Sequence, residues 1–230
     1  MRDLFKFRHY SKFKSMIIKL GPEAWSKMIK ISVIVTNYNY GHYLGRCLRS
    51  LLSQSISRTH YEIIVVDDAS TDSSRLIYDS FENEIKSIKN EKNVGLAQAS
   101  NIGIRSALGR YFVRVDADDY VHPNFLETLL VGFDLFGTDY EAISCDYLKV
   151  EQNGKLIEVC SQIESPIACG IAFKIDAFEF LGLYNETLKI NEESEFMARF
   201  RKSGFRCYNV NLPLYRYVQH GPSLSNGVPI

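Results

Sequence analysis

The chain has no run approaching the roughly 18 unbroken apolar residues of a membrane-spanning helix, so none of it is expected to cross a bilayer. It has no apolar signal-peptide core near Met1 and no C-x-x-C pair, and its five cysteines (Cys47, Cys145, Cys160, Cys169, Cys207) are odd in number and widely spaced. That excludes a disulfide miniprotein and leads us to expect reduced structural thiols in a cytoplasmic protein. No internal repeat, low-complexity run or linker is visible after Lys30. There is also no net charge, with 27 basic residues against 27 acidic ones.

That zero hides an asymmetry. Residues 1–30 carry eight Lys/Arg against Asp3 and Glu23, and the remaining 200 residues are acidic by the same margin. An acidic body is the wrong footprint for a nucleic-acid binder, so no nucleic-acid partner is expected. Within the basic segment Phe13, Met16, Ile17 and Leu20 form an apolar stripe, flanked by Arg8, Lys12 and Lys19 and stopped by Gly21-Pro22. The expectation for residues 1–22 is an accessory helix at a membrane surface or a partner protein; packing on its own domain or on a second subunit is the open alternative. Residues 31–230 read as one domain.

What is present, at 46% hydrophobic and 23% charged residues, is the composition of a globular chain. Ile31–Thr36 (ISVIVT), Tyr61–Val66 (YEIIVV) and Tyr111–Val115 (YFVRV) are short apolar runs rich in β-branched and aromatic residues, as in strands buried on both faces. Helical spacing follows each: Leu44 to Leu52, a helix opening at about Asp72, Leu96–Leu108, and Leu126 to Phe133 after Pro123. Ser87–Lys89 reads as a brief strand. The alternation predicts an α/β fold with a mostly parallel sheet and helices on both faces, and its strand ends gather Asn37, Asp67, Asp68 and Asp116 on one rim. Strands are also expected at Glu141–Val150 and Lys155–Val159 around the Gln152-Asn153-Gly154 turn, then at Arg206–Val210 and Leu214–Val218. Helices are expected at Asp176–Leu181 and from Glu193 to Ser203.

In the last of these helices Glu193, Phe196, Met197 and Phe200 share one face, while Glu192, Glu195 and Arg199 share another. The apolar face turns inward, so Glu193 is expected to point into the body and Glu192 and Glu195 toward water. Three acids in a first turn also complement the helix dipole, which is the structural alternative to a chemical role.

Six motifs occur in order: SVIVTNYN, IIVVDDASTD, NVGLAQASNIGI, GRYFVRVDADD with Pro123 following, LYNETLKINEESEF and LYRYVQHGPSLS. With them the chain resembles glycosyltransferase family 2 from Ile31 to about Ser225. The resemblance implies the GT-A (Rossmann-like) fold and an inverting, metal-dependent transfer from a nucleotide-sugar, a UDP-sugar favoured, to the hydroxyl of a glycan or lipid-linked acceptor in surface polysaccharide or glycolipid assembly. It implies Mn²⁺ or Mg²⁺ on Asp118, with Asp116, Asp119 and His220 as further ligand candidates. Such a cation would invert the repulsion between these carboxylates and a diphosphate. The alternative for the acidic cluster is a solvated turn of helix-capping acids.

By the same resemblance Asp68 accepts from the uracil imide, Thr36 lies against the base, and Asn37, Asp67, Asn93, Gly95, Asn101 and Asp116 complete the nucleotide set. Asp67 also suits an Asx turn. Ser100 stands where the family has Arg. The general base falls on Glu193, one methylene longer than the family's usual Asp, with Glu192 as its alternative. A Q-x-x-R-W motif is absent, which implies single-sugar rather than processive transfer. A catalytically weak nucleotide-sugar-binding partner subunit is the competing reading, and Ser100 and Glu193 are the departures that favour it.

Overall fold

Among the described residues a nine-stranded sheet gathers the predicted rim. The computed structural model describes residues 28–220, so the expected helix in residues 1–22 lies outside the described residues. Strand β1 (Ile31–Asn37) is buried along its whole length and pairs in parallel with β2 (Tyr61–Asp67) on one side and β4 (Tyr111–Asp116) on the other. β3 (Lys86–Lys89) extends this parallel half from β2. In register, Thr36 lies opposite Val66 and Asp116, and Asn37 opposite Asp67. Parallel pairing therefore brings the polar strand ends side by side.

Alternate side chains of these strands feed two layers. Val33, Val35, Ile63, Val65, Val113 and Val115 belong to one buried cluster with Leu44 and Leu48 of α1 (Gly41–Leu52) and Leu126 and Leu129 of α4 (Phe125–Phe136). Ile34, Ile64, Val66 and Phe112 belong to the other, where α3 (Leu96–Arg105) packs so closely that a Cβ on Gly103 would collide with Ile34. Phe173, Phe178, Phe196 and Phe200 complete this second layer. They come from β8 (Ile171–Lys174), α5 (Ile175–Leu181) and α6 (Glu192–Lys202). Each such ring contributes on the order of 1.5–3 kcal/mol by leaving water.

The sheet order is β3-β2-β1-β4-β8, then β6 (Ala142–Glu151), β9 (Cys207–Gln219) and β5 (Tyr120–Val121), with β7 (Leu156–Cys160) added to β6. β8, which the sequence did not reveal, runs antiparallel to both β4 and β6. The two strands expected near the C-terminal end are one, β9 (Cys207–Gln219), with its register against β6 shifted around Asp146. β5 (Tyr120–Val121) pairs with β9 and closes the turn after β4. The helix expected from Asp72 is the short α2 (Ser74–Asp79); Asp72 accepts from the N–H groups of Ser74 and Gly41 and ties α2 to α1. All five cysteines are free thiols, four of them buried. No helix among the described residues is long and apolar enough to cross a membrane.

Candidate active site

A cleft of about 1570 Å³ opens over the carboxyl ends of β1, β2 and β4. Thr36 and Asn37 line its floor. The Asn37 amide donates to Asp67 Oδ1 at 3.2 Å and to Ser70 at 3.1 Å. Asp67 is buried, also accepts from the Tyr78 hydroxyl, and does not line the cleft. Its expected place in the nucleotide set is thus replaced by a structural one, fixing the turn after β2.

Asp68 does line the cleft. Its Oδ1 accepts from the Asn90 amide at 2.8 Å and the Val94 N–H at 2.9 Å, and its Oδ2 from the Gly95 N–H at 2.9 Å. A carboxylate has about four lone-pair sites, so one is left for a ligand donor. Gly95 has φ +89°, a backbone that favours glycine, and it stands with Asn93 at the cleft wall. Asn101 is elsewhere. It is fully buried, exchanges hydrogen bonds with the Tyr184 backbone at 2.9 and 3.0 Å, and holds Glu186 at 2.9 Å. It clamps the 182–191 segment and does not reach the cleft, contrary to expectation.

The acids after β4 part company. The Tyr215 hydroxyl receives the Asp116 N–H at 3.2 Å and donates to Asp119 Oδ2 at 2.6 Å, while Asp119 Oδ1 accepts from Val218 N–H at 2.8 Å. Asp119 is buried and absent from the cleft wall. Burial, with Asp118 and Asp116 nearby, pushes its carboxyl well above the usual range. As placed, it anchors the turn to β9 instead of offering a metal ligand. Asp118 faces the cleft, and His220 Nε2 lies 2.7 Å from its Oδ2. The His220 ring packs edge-on to Tyr40 and stacks with Tyr43, with centroids 5.5 and 5.1 Å away.

Among the described residues no group of three His, Cys, Asp or Glu is preassembled for a metal. The donor set nevertheless fits a divalent cation that completes its shell with substrate. Asp118 supplies a cleft-facing carboxylate and His220 an imidazole, and Mg²⁺-type sites commonly use one or two carboxylates plus phosphate oxygens.

α6, preceded by Asn191 in the left-handed region (φ +63°), lines the same cleft as Asp118. Its first turn meets Arg114, a residue of β4 that is 3% exposed. Nη1 of Arg114 is 3.3 Å from Glu192 Oε1 and 3.9 Å from Glu193 Oε2, and its Nε is 3.5 Å from Asp116 Oδ1. The Tyr184 hydroxyl donates to Glu193 Oε2 at 2.6 Å, while Glu193 Oε1 is buried with no hydrogen-bond partner among the described residues. Burial pushes the Glu193 carboxyl up to about 7, helped by Glu192 and Asp116 and opposed by Arg114 and the Tyr184 bond. Burial likewise raises the Asp116 carboxyl, against the pull of Arg114.

The helix phase corrects one expectation. Glu195 is bound by Arg199 at 2.6 and 2.8 Å on the outer face, but Glu192 is buried rather than water-facing. A guanidinium in the sheet drew it inward. Arg114, Tyr184 and Tyr215 are the site residues that sequence reasoning missed. The Arg interrupting the apolar run YFVRV was the one available signal.

The family profile described as Glycosyl transferase family 2 matches residues 32–208. The chain belongs to glycosyltransferase family 2. Among curated members, Glycosyltransferase GlyG of Streptococcus pneumoniae serotype 4 (strain ATCC BAA-334 / TIGR4) is 45% identical over 102 residues, which are 43% of this chain and 33% of GlyG. The chain thus spans about a third of that relative's length. The putative glycosyltransferase EpsE of Bacillus subtilis (strain 168) is 30% identical over 203 residues, 81% of this chain and 72% of EpsE.

Two solved structures place the chain in the GT-A fold. S. aureus TarS 1-349 in complex with UDP-GlcNAc superposes with a TM-score of 0.75 at 22% identity, covering 88% of this chain and 62% of TarS 1-349. The mannosyltransferase PcManGT of Pyrobaculum calidifontis, in complex with GDP-Man and Mn²⁺, gives 0.65 at 21%, covering 84% and 57%. The matched family 2 region ends before Tyr215, Val218 and His220, the residues that complete the acidic turn here.

Proposed function

We propose that this chain transfers a single sugar from a UDP-sugar to an acceptor hydroxyl with inversion at the anomeric carbon, and that Glu193 is its general base. The observation that carries the reading is Glu193 itself. It is a carboxylate in the wall of the cleft that Asp118 also lines, with one oxygen aimed by Tyr184, the other without a partner among the described residues, and a proton affinity near neutral. A base poised near the working pH removes protons most effectively.

In this reading Asp68 and the Asn93–Gly95 wall receive the uracil, and Thr36 lies against it. Asp116 faces the ribose, and Asp118 with His220 would hold Mn²⁺ or Mg²⁺. When bound, such a cation offsets the diphosphate charge and stabilises the departing nucleotide. Glu193 takes the acceptor's proton as the acceptor oxygen bonds the anomeric carbon from the face opposite the diphosphate, whose bond to that carbon breaks. An α-linked donor gives a β-linked product. The proposed setting is the cytoplasmic face of a membrane, with a glycan or lipid-linked acceptor, and the basic composition of residues 1–22 supports it.

The test is a panel of nucleotide-sugars scored by mass for release of nucleoside diphosphate. Glu193→Gln should bind UDP-sugar normally and lose about 10²-fold or more in turnover. Full activity in that variant would sink Glu193 as the base.

A further inference from the structure

Arg114 has no role in the chemistry above, yet it stands where a core strand should carry an apolar side chain. It pairs in register with Ile34 and shares the sheet face of Phe112, 3% exposed. Removing a guanidinium from water costs several kcal/mol, and buried ion pairs often stabilise a fold no better than apolar residues of similar size. Stability is therefore a poor reason for its presence. Its neighbours offer another. One cation faces three carboxylates, Asp116 at the donor side of the cleft and Glu192 and Glu193 on α6, and the Tyr184 ring lies 5.7 Å from its Cζ. Among the described residues Arg114 Nε and Asp116 Oδ1 have no hydrogen-bond partner, so the fork is not saturated on the donor side.

We propose that Arg114 is the positioning residue of the transfer, a single planar cation that ties the β4 acid Asp116 to the α6 acids and holds Glu193 in its working arrangement. The inference rests on the reading of Glu193 as base. The charged and titratable groups that face Glu193 are Arg114 and Asp116 from β4, Tyr184 from the 182–191 segment and Glu192 from its own helix. Arg114 is the one cation among these. Without it, Glu193 keeps two anionic neighbours and a single hydroxyl donor, and its carboxyl retains its proton to higher pH.

The experiment compares Arg114→Met and Arg114→Lys with the parent by two readouts. Infrared titration follows the protonated carbonyl of Glu193, assigned as the band that disappears in Glu193→Gln. In parallel, the pH profile of nucleoside diphosphate release is recorded. Arg114→Met should move both midpoints up by about one pH unit or more, which lowers neutral-pH turnover about tenfold and restores it at higher pH. Arg114→Lys keeps the charge without the fork and should shift less. Unchanged midpoints in the variants, whatever their loss of stability, would reduce Arg114 to packing and overturn the proposal. If Arg114→Met does not fold, the same two readouts on Arg114→Gln, which also removes the charge, decide. If instead Glu193→Gln is fully active, the base reading falls, while the infrared midpoint still judges the Arg114–Glu193 contact.

Discussion

Replacing Glu193 with Gln should disable the enzyme and stabilise it, and the size of the second effect follows from the burial of one carboxyl. In the folded chain that group sits at about 7, against an ordinary 4.5. Below both values folded and unfolded chains hold the proton alike. Between them the unfolded chain releases it while the folded chain keeps it, so stability falls as pH rises, by about 1.4 kcal/mol per pH step. Above the folded value both forms are ionised and the penalty levels off at roughly 3 kcal/mol. Glutamine has nearly the same volume, accepts from Tyr184, and never ionises. The variant should therefore match the parent near pH 4 and exceed it near pH 8 by roughly 3 kcal/mol, about 6–12 °C in melting temperature for a chain of this size. Urea denaturation at several pH values measures the gap directly. A gap that does not change with pH, or a parent more stable than the variant at pH 8, would refute the argument that Glu193 is held in a desolvated, proton-retaining pocket.

Three further outcomes are expected. UDP with Mn²⁺ should raise the melting temperature more than either alone, by the equivalent of roughly 2.7 kcal/mol at 100 times the dissociation constant. Asp118→Asn should remove the metal-dependent part, and an equal UDP shift in EDTA would contradict the metal-bridged site. Glu192→Gln removes one charge from the buried Arg114 cluster but leaves Asp116 and Glu193 on it. A loss of about 1–2 kcal/mol by urea titration is expected, and no loss would mean that Glu192 faces water after all. Tyr215→Phe deletes the hydroxyl shared by Asp116 and Asp119, so it should cost about 2 kcal/mol, or roughly 4–8 °C. An unchanged thermal melt would show that this hydroxyl does not hold the acidic turn.

How much of this was legible before the structure depended on the kind of signal each residue leaves. ISVIVT and YEIIVV announced themselves because strands buried on both faces exclude polar side chains, and parallel pairing then had to bring their polar ends together. β5 was invisible because two residues are too few for a period to show, and β8 because it runs without a break into the apolar start of α5. Glu192 was misplaced for a different reason. A helical wheel sorts acids away from the core by assuming the core is apolar, and here the core contained Arg114. Asn101 and Asp119 carry the residue types of a ligand site, but their partners are the Tyr184 backbone, Glu186, Tyr215 and Val218. Composition marks a polar residue as useful; only the fold says whether a ligand or the chain itself consumes its hydrogen bonds.

The acidic turn after β4 is held by Tyr215, Val218 and His220, which reach back 96, 99 and 102 residues along the chain. Contacts that distant form late, because the intervening loop must be closed before they yield anything. During synthesis β1 to β4 emerge with a complete set of mutual pairings while the residues that fix Asp118 and Asp119 are still being added. Until β9 docks, Asp119 has neither the Tyr215 hydroxyl nor the Val218 N–H. The acidic turn is therefore completed by the far end of β9 and the residue after it, not by the strands beside it.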